Sequence, residues 1–159
     1  MGTPQFSVPS LEVLAKSSYN ISYVYTQPSK ASHRGQKLNS SPIQKSAEYL
    51  KLPVRSPKTL NTDEELNFFK NLNPDIVVVV AYGQLIPRKF LNIPKKGFIN
   101  IHASLLPKWR GAAPIQRAII NLDKETGISI MKINEKLDSG PVMKKIKIKI
   151  NPYDSSGKI

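Results

Sequence analysis

The sequence predicts an α/β fold with an open, largely parallel sheet, and three observations carry that expectation. Strand-like and helix-like stretches alternate along the chain as far as Ile150. The run Ile76 to Tyr82, IVVVVAY, is continuously apolar, as a strand covered on both faces must be. Between such runs lie helix-opening signals, Ser41-Pro42 and Thr62 with Glu65, each followed by apolar residues at helical spacing.

Taken in order, Ser7 is placed to cap a helix whose first turn carries Pro9 and whose inner face is Leu11, Leu14 and Ala15. Ile21 to Thr26, ISYVYT, is β-branched and aromatic, hence extended. Gln27 to Ser41 forms a long polar, basic loop. After the Ser41 cap, Ile43, Ala47 and Leu50 face inward, and Leu52 to Val54 forms a short strand. The Thr62 and Glu65 pair has capping-box spacing and opens a helix with Leu66, Phe69 and Leu72 on one side. Asn73-Pro74-Asp75 stops it. The apolar strand ends at Gly83. Phe98 opens a further strand, a loop runs through Gly111, and a helix turns Ile115, Ala118, Ile119 and Leu122 inward. Gly127 to Ile133 is a strand. Val142 to Ile150 alternates isoleucine with lysine, a half-exposed strand whose lysines discourage edge pairing.

Composition narrows the class. A chain of 159 residues suits one domain, and 40% hydrophobic with 22% charged residues suits a soluble globular protein. No apolar run approaches a membrane span, and MGTPQFSVPS lacks the basic head and apolar stretch of a signal peptide. The absence of cysteine excludes a disulfide framework and thiol chemistry, which fits a cytoplasmic protein. The net charge of +13 suits recruitment of nucleic acid. It equally suits a lysine-rich composition, since only 5 of the 24 basic residues are arginine.

The stretch FINIHASLLP holds the candidate chemistry. Asn100 and His102 interrupt an apolar strand two residues apart, so they share one face while Ile99 and Ile101 take the other. They sit where the strand runs out into a loop, the edge at which open α/β sheets bind ligands. Both side chains could instead serve neighbouring backbone groups. Trp109 could stack on a ligand or simply pack. Asp138 adds a carboxylate in a turn, Leu137-Asp138-Ser139-Gly140, between two strands.

The run NIHASLLPKWRGAAPIQRAI resembles the signature of the folate-dependent formyltransferases, most closely the branch acting on methionyl-tRNA. Four stretches match in the same order: MGTPQFSVPSLEVL, TQPSKASHRGQKLNSSPIQKSA, NPDIVVVVAYGQLIP and ETGISIMKINEKLDSGPV. The resemblance implies a Rossmann-like sheet with helices on both faces, lacking its first strand. It implies that residues 1–159 are a catalytic domain truncated at both ends, without the all-β domain that assists tRNA binding. Carried over by position, Asn100, His102 and Asp138 are the catalytic trio. Ser104, Leu105, Leu106 and Pro107 help hold the folate, with Tyr82, Gly83, Leu85 and Ile86 walling its pterin pocket. Arg34, Gly35 and Lys37, with Gln36 and Leu38, fall in a loop that contacts the tRNA acceptor end. Ser29 to His33 departs from the pattern there, which has an acid after the proline and a glycine before the arginine.

The implied donor is 10-formyltetrahydrofolate, the implied acceptor initiator methionyl-tRNA, with no metal and no membrane. A cytoplasmic monomer of bacterial type is expected, an organellar setting remaining open. Asn100 donates to the developing oxyanion, His102 adds a donor or moves a proton, and Asp138 fixes the imidazole. Two other readings stay open: a sister formyltransferase acting on glycinamide ribonucleotide or an amino-sugar nucleotide, and a non-catalytic basic module that binds nucleic acid.

Overall fold

The structure, a computed structural model, describes residues 1–32 and 37–159, and for 30–32, 37 and 38 it describes the backbone. The chain divides into two compact units, Met1–Lys96 and Gly97–Ile159.

In the first unit a 3-10 turn, Gln5–Ser7, leads into α1, Val8–Ala15. Ser7 does not cap α1. Its hydroxyl donates to the Val80 carbonyl at 2.8 Å and accepts from the Thr3 N–H at 3.2 Å. The turn before α1 already has helical geometry, so the helix start needs no side-chain acceptor there. Strand β1, Val24–Tyr25, is shorter than the run ISYVYT. The polar stretch after it is not wholly a loop: β2, Lys30–Ser32, pairs antiparallel with β3, Lys37–Asn39. Three-residue strands are too short to show a period in sequence.

Helix α2, Pro42–Tyr49, starts as expected, with Ser41 Oγ accepting the Gln44 N–H at 3.1 Å. Strand β4, Val54–Arg55, pairs parallel with β1. Val8, Leu11, Val24, Ile43 and Ala47 form a buried cluster that gathers Ile21, Leu50, Leu52 and Val54 around it. Helix α3, Asp63–Leu72, is capped by Thr62, whose hydroxyl accepts the Glu65 N–H at 3.2 Å. The reciprocal half of the capping box is absent, because the Glu65 carboxylate is held by Arg55. Arg55 Nη2 reaches Glu65 Oε1 at 2.7 Å and its Nε reaches Oε2 at 2.9 Å, while its guanidinium lies 3.9 Å from the Phe68 ring centroid. Phe69 of α3 is buried, packing against Tyr25 and against Phe90 of α4, Arg88–Leu91. Strand β5, Val77–Val79, is buried at its two ends, whereas Ile76 is exposed.

The second unit is an antiparallel ladder with one helix. Strand β6, Phe98–His102, pairs with β7, Glu125–Lys132, and β7 pairs with β8, Val142–Lys149. Helix α5, Pro114–Ile120, buries Ala118. Leu122 falls beyond its end and is exposed, a correction to the inward face read from sequence, because the helix stops two residues before it. β8 was expected to be half exposed, but all eight of its residues are exposed. Its apolar side chains are only partly shielded, Ile146 by Ile128 and Ile148 by Thr126 across the ladder. Among the described residues no helix is long and apolar enough to cross a membrane.

Glu65 is a nearly buried carboxylate whose charge is compensated by one fork-shaped donor. Arg55→Ala is expected to cost about 3 kcal/mol in urea unfolding, since it strands that charge, whereas the apolar pair Arg55→Met with Glu65→Leu recovers most of the loss.

Candidate active site

Strand alternation places Asn100 and His102 on one face of β6, as the sequence indicates, and the ladder sets His102 opposite Ser129 and Asn100 opposite Met131. Asp138 arrives from the turn between β7 and β8. Gly140 makes that turn possible, because a Cβ there would collide with the Lys132 carbonyl. Asp138 itself is left-handed, with φ of 44°, a conformation aspartate tolerates better than most residues.

This geometry brings the three polar groups together. Asp138 Oδ1 accepts from Asn100 Nδ2 at 3.3 Å, and Oδ2 accepts from the Gly111 N–H at 2.8 Å. Asp138 Oδ2 lies 3.7 Å from His102 Nδ1, a charge-range contact too long for a hydrogen bond; the two side chains are 12% and 8% exposed. The other ring nitrogen, Nε2, lies 2.9 Å from the Trp109 carbonyl. A carbonyl only accepts, so that network assigns the proton to Nε2. The amide of Asn100 carries two hydrogens, and the contact with Asp138 uses one.

Residues 104–111 wrap this rim and hold themselves in place. Ser104 Oγ donates to the Lys108 carbonyl at 2.6 Å, and the Lys108 N–H returns to the Leu105 carbonyl at 3.1 Å. Ser129, fully buried on β7, bridges the turn: its hydroxyl donates to the Ser104 carbonyl at 2.7 Å and accepts the Leu106 N–H at 3.0 Å. Leu106 is buried and Pro107 exposed. Trp109 is bound by its polar edge, its indole N–H donating to Asp123 Oδ2 at 2.7 Å. Asp123 also accepts from Asn121 and faces Lys108. The Trp109 hydrogen bond first, then that from Asn121, hold its carboxyl below the usual carboxylate range.

The residues expected to wall a pterin pocket lie in the first unit. Tyr82 is buried, its carbonyl accepting from Thr3 Oγ1 and Gln27 Nε2, and burial pushes its phenol up. Gly83 has φ of 81°, where a side chain would be strained and would also strike the Gln27 amide. Leu85 is exposed and Ile86 half-buried. Arg34, Gly35 and Gln36 lie outside the described residues, and Lys37 and Leu38 belong to the backbone of β3.

The sequence pattern of the formyl transferase family matches residues 1–159. The chain belongs to the formyl transferase family. It is 62% identical over 157 residues to the methionyl-tRNA formyltransferase of Pelagibacter ubique, covering 98% of this chain and 51% of that protein. It is 50% identical over 160 residues to the methionyl-tRNA formyltransferase of Chelativorans sp., covering 100% and 51% respectively. The chain thus spans about half the length of these relatives. Among solved structures, the phosphoribosylglycinamide formyltransferase of Streptococcus pneumoniae superposes with a TM-score of 0.79 at 17% identity, covering 99% of this chain and 84% of that one. That of Bacillus halodurans gives 0.77 at 20% identity, covering 98% and 81%. At such identities the likeness concerns the fold, the Rossmann-like α/β arrangement of formyl transferases.

Two supports of this formyl transferase rim were missed in the sequence. Ser129 had a signal, a small polar residue inside the apolar run of β7, the same kind of interruption that marked Asn100 and His102. Asp123 had none, since Leu122-Asp123-Lys124 looks like any helix-ending turn.

Ser129→Ala leaves a buried carbonyl and a buried N–H unpaired, and a loss of about 1–3 kcal/mol is expected in urea unfolding, with faster hydrogen exchange at Leu106. Ser129→Thr keeps the hydroxyl and is expected to retain most of both. Asp123 offers a pH test. Its carboxyl is held lower in the folded chain than in the unfolded one, so its contribution is full at neutral pH and is lost as pH falls through the carboxylate range. Trp109→Phe removes the largest cause, so the stability gap between wild type and variant should narrow on going from neutral pH to about 3.

Proposed function

We propose that the chain carries the formyl-transfer centre of an enzyme that moves a formyl group from 10-formyltetrahydrofolate to the α-amino group of methionine on initiator tRNA, in the cytoplasm. The observation that supports this most directly is the convergence of the Asn100 amide, the His102 ring and the Asp138 carboxylate at one rim. Relatives at 62% and 50% identity that act under the name methionyl-tRNA formyltransferase favour the acceptor. The 159 residues are assigned to the catalytic part of that enzyme.

In the reaction the amine nitrogen bonds to the formyl carbon and the carbonyl oxygen becomes an oxyanion. Collapse breaks the bond to folate N10, which leaves carrying a proton that the amine gives up. Asn100 donates its second amide hydrogen to the oxyanion, while Asp138 holds the first and so fixes the direction of the amide. His102 becomes a second donor when its Nε2 proton turns from the Trp109 carbonyl to the substrate. Asp138 positions both, and the Gly111 N–H keeps Asp138 in place. Ser104, Leu105, Leu106 and Pro107, with Tyr82, Gly83, Leu85 and Ile86, are assigned to the folate. Arg34, Gly35 and Lys37 are assigned to the acceptor end of the tRNA.

In the full-length enzyme, Asn100→Ala or His102→Ala is expected to lower kcat by about 10²–10³ while leaving folate affinity within a few-fold of wild type. Single-turnover formylation with methionyl-tRNA and with glycinamide ribonucleotide, offered side by side, tests the acceptor. Full turnover in both variants, or preference for the ribonucleotide, contradicts the proposal.

A further inference from the structure

Strand β8 sorts its residues by face. Lys145, Lys147 and Lys149 occupy every second position, about 7 Å apart, while Ile146 and Ile148 take the other side. All three lysines are exposed. The ladder fixes what lies beside them: Lys145 is opposite Ser129, which is in turn opposite His102. Lys145, Ser129 and His102 therefore form one row across three strands and share a face. At one strand spacing per step, Lys145 starts about 10 Å from His102, and the lysine row runs on for about 14 Å. Among the described residues, Lys147 meets Glu125 at 2.8 Å, and Lys145 and Lys149 meet no carboxylate.

A lysine-rich composition scatters charge over a surface; here it is aligned. Three ammonium groups stand on a strand paired residue by residue with β7 from Lys144 to Lys149, at a spacing comparable with successive phosphates of a nucleic-acid strand. They begin beside the candidate catalytic face of a chain with net charge +13. From this we infer that Lys145, Lys147 and Lys149 form a track for RNA phosphates that brings the acceptor strand to the face carrying Asn100 and His102. The inference rests on the acceptor proposed above. It adds a contact surface on the second unit, separate from the assigned Arg34 segment. Glu125 tempers the central lysine, so Lys145 and Lys149 carry most of the effect.

The test is a binding titration of the full-length enzyme with fluorescently labelled initiator tRNA at several potassium chloride concentrations. Replacing all three lysines by glutamine is expected to lower the slope of log K against log salt by roughly 1.5, and to weaken binding about tenfold at low salt. Lys144→Gln, whose side chain lies on the opposite face, should leave the slope unchanged, and the triple arginine variant should restore it. Thermal melts of each variant check folding. The track is refuted if the triple glutamine variant keeps the wild-type slope, or if Lys144→Gln lowers it as much per charge. Loss of affinity for a γ-glutamyl folate with the RNA slope intact also refutes it, and assigns the row to the acidic folate tail. Because the readout is RNA binding, it decides on the lysines whichever acceptor the wild-type enzyme formylates. Formylation of glycinamide ribonucleotide in preference to methionyl-tRNA removes the proposed function by a separate measurement.

Discussion

One carboxylate organises the second unit's polar rim. Asp138 receives the Asn100 amide on one oxygen and the Gly111 N–H on the other, and it faces the His102 ring. Two of these partners come from β6, and the third, Gly111, comes from the loop that leads into α5. A nearly buried acid is costly unless it is met by donors, and here the donors are the groups whose orientation the rim needs. Gly140 secures the acid in turn, since only a residue without Cβ lets the chain pass the Lys132 carbonyl so closely. Any larger residue at 140 displaces the turn, and with it the point where three segments meet.

Around that node the structure uses buried hydrogen bonds to make a loop as definite as a strand. Ser129 ties the Ser104 and Leu106 backbone groups to β7, Ser104 closes on Lys108, and Trp109 is anchored through its indole to Asp123. These bonds answer the cost of burying loop backbone. They also leave the Trp109 carbonyl pointing at His102, where it sets which nitrogen carries the proton. The loop is thus part of the histidine's chemistry, through its main chain and not through the tryptophan ring. That separates the two roles open to Trp109 in the sequence: its indole is held by the fold.

How much of this was legible beforehand depended on how local each signal is. Caps at Ser41 and Thr62, the apolar strand near Val77, and the polar interruptions at Asn100 and His102 are read within a few residues, and they reappear in the structure. Where a side chain had a distant alternative, local reading failed. Ser7 turned from its helix to the Val80 carbonyl 73 residues away, and Glu65 turned from its cap to Arg55. Asp123 and the short hairpin β2–β3 carry no local pattern at all. The exposure of β8 likewise could not be read from its alternation, because periodicity shows which residues share a face and is silent on what covers it.

The shared acid also fixes how the site's residues depend on one another. If Asn100 and His102 were oriented independently, losses from replacing each would add. Both are instead referred to Asp138, and the Gly111 N–H holds the oxygen of that acid that faces His102. Removing either partner frees Asp138 to move toward the other, so the remaining group changes its aim as well as its strength. Groups in one hydrogen-bonded network couple by about 0.5–3 kcal/mol, enough to make a double replacement cost visibly less than the sum of its parts. Strand alternation puts the amide and the ring on the same side; it is the carboxylate from the turn that makes them one unit.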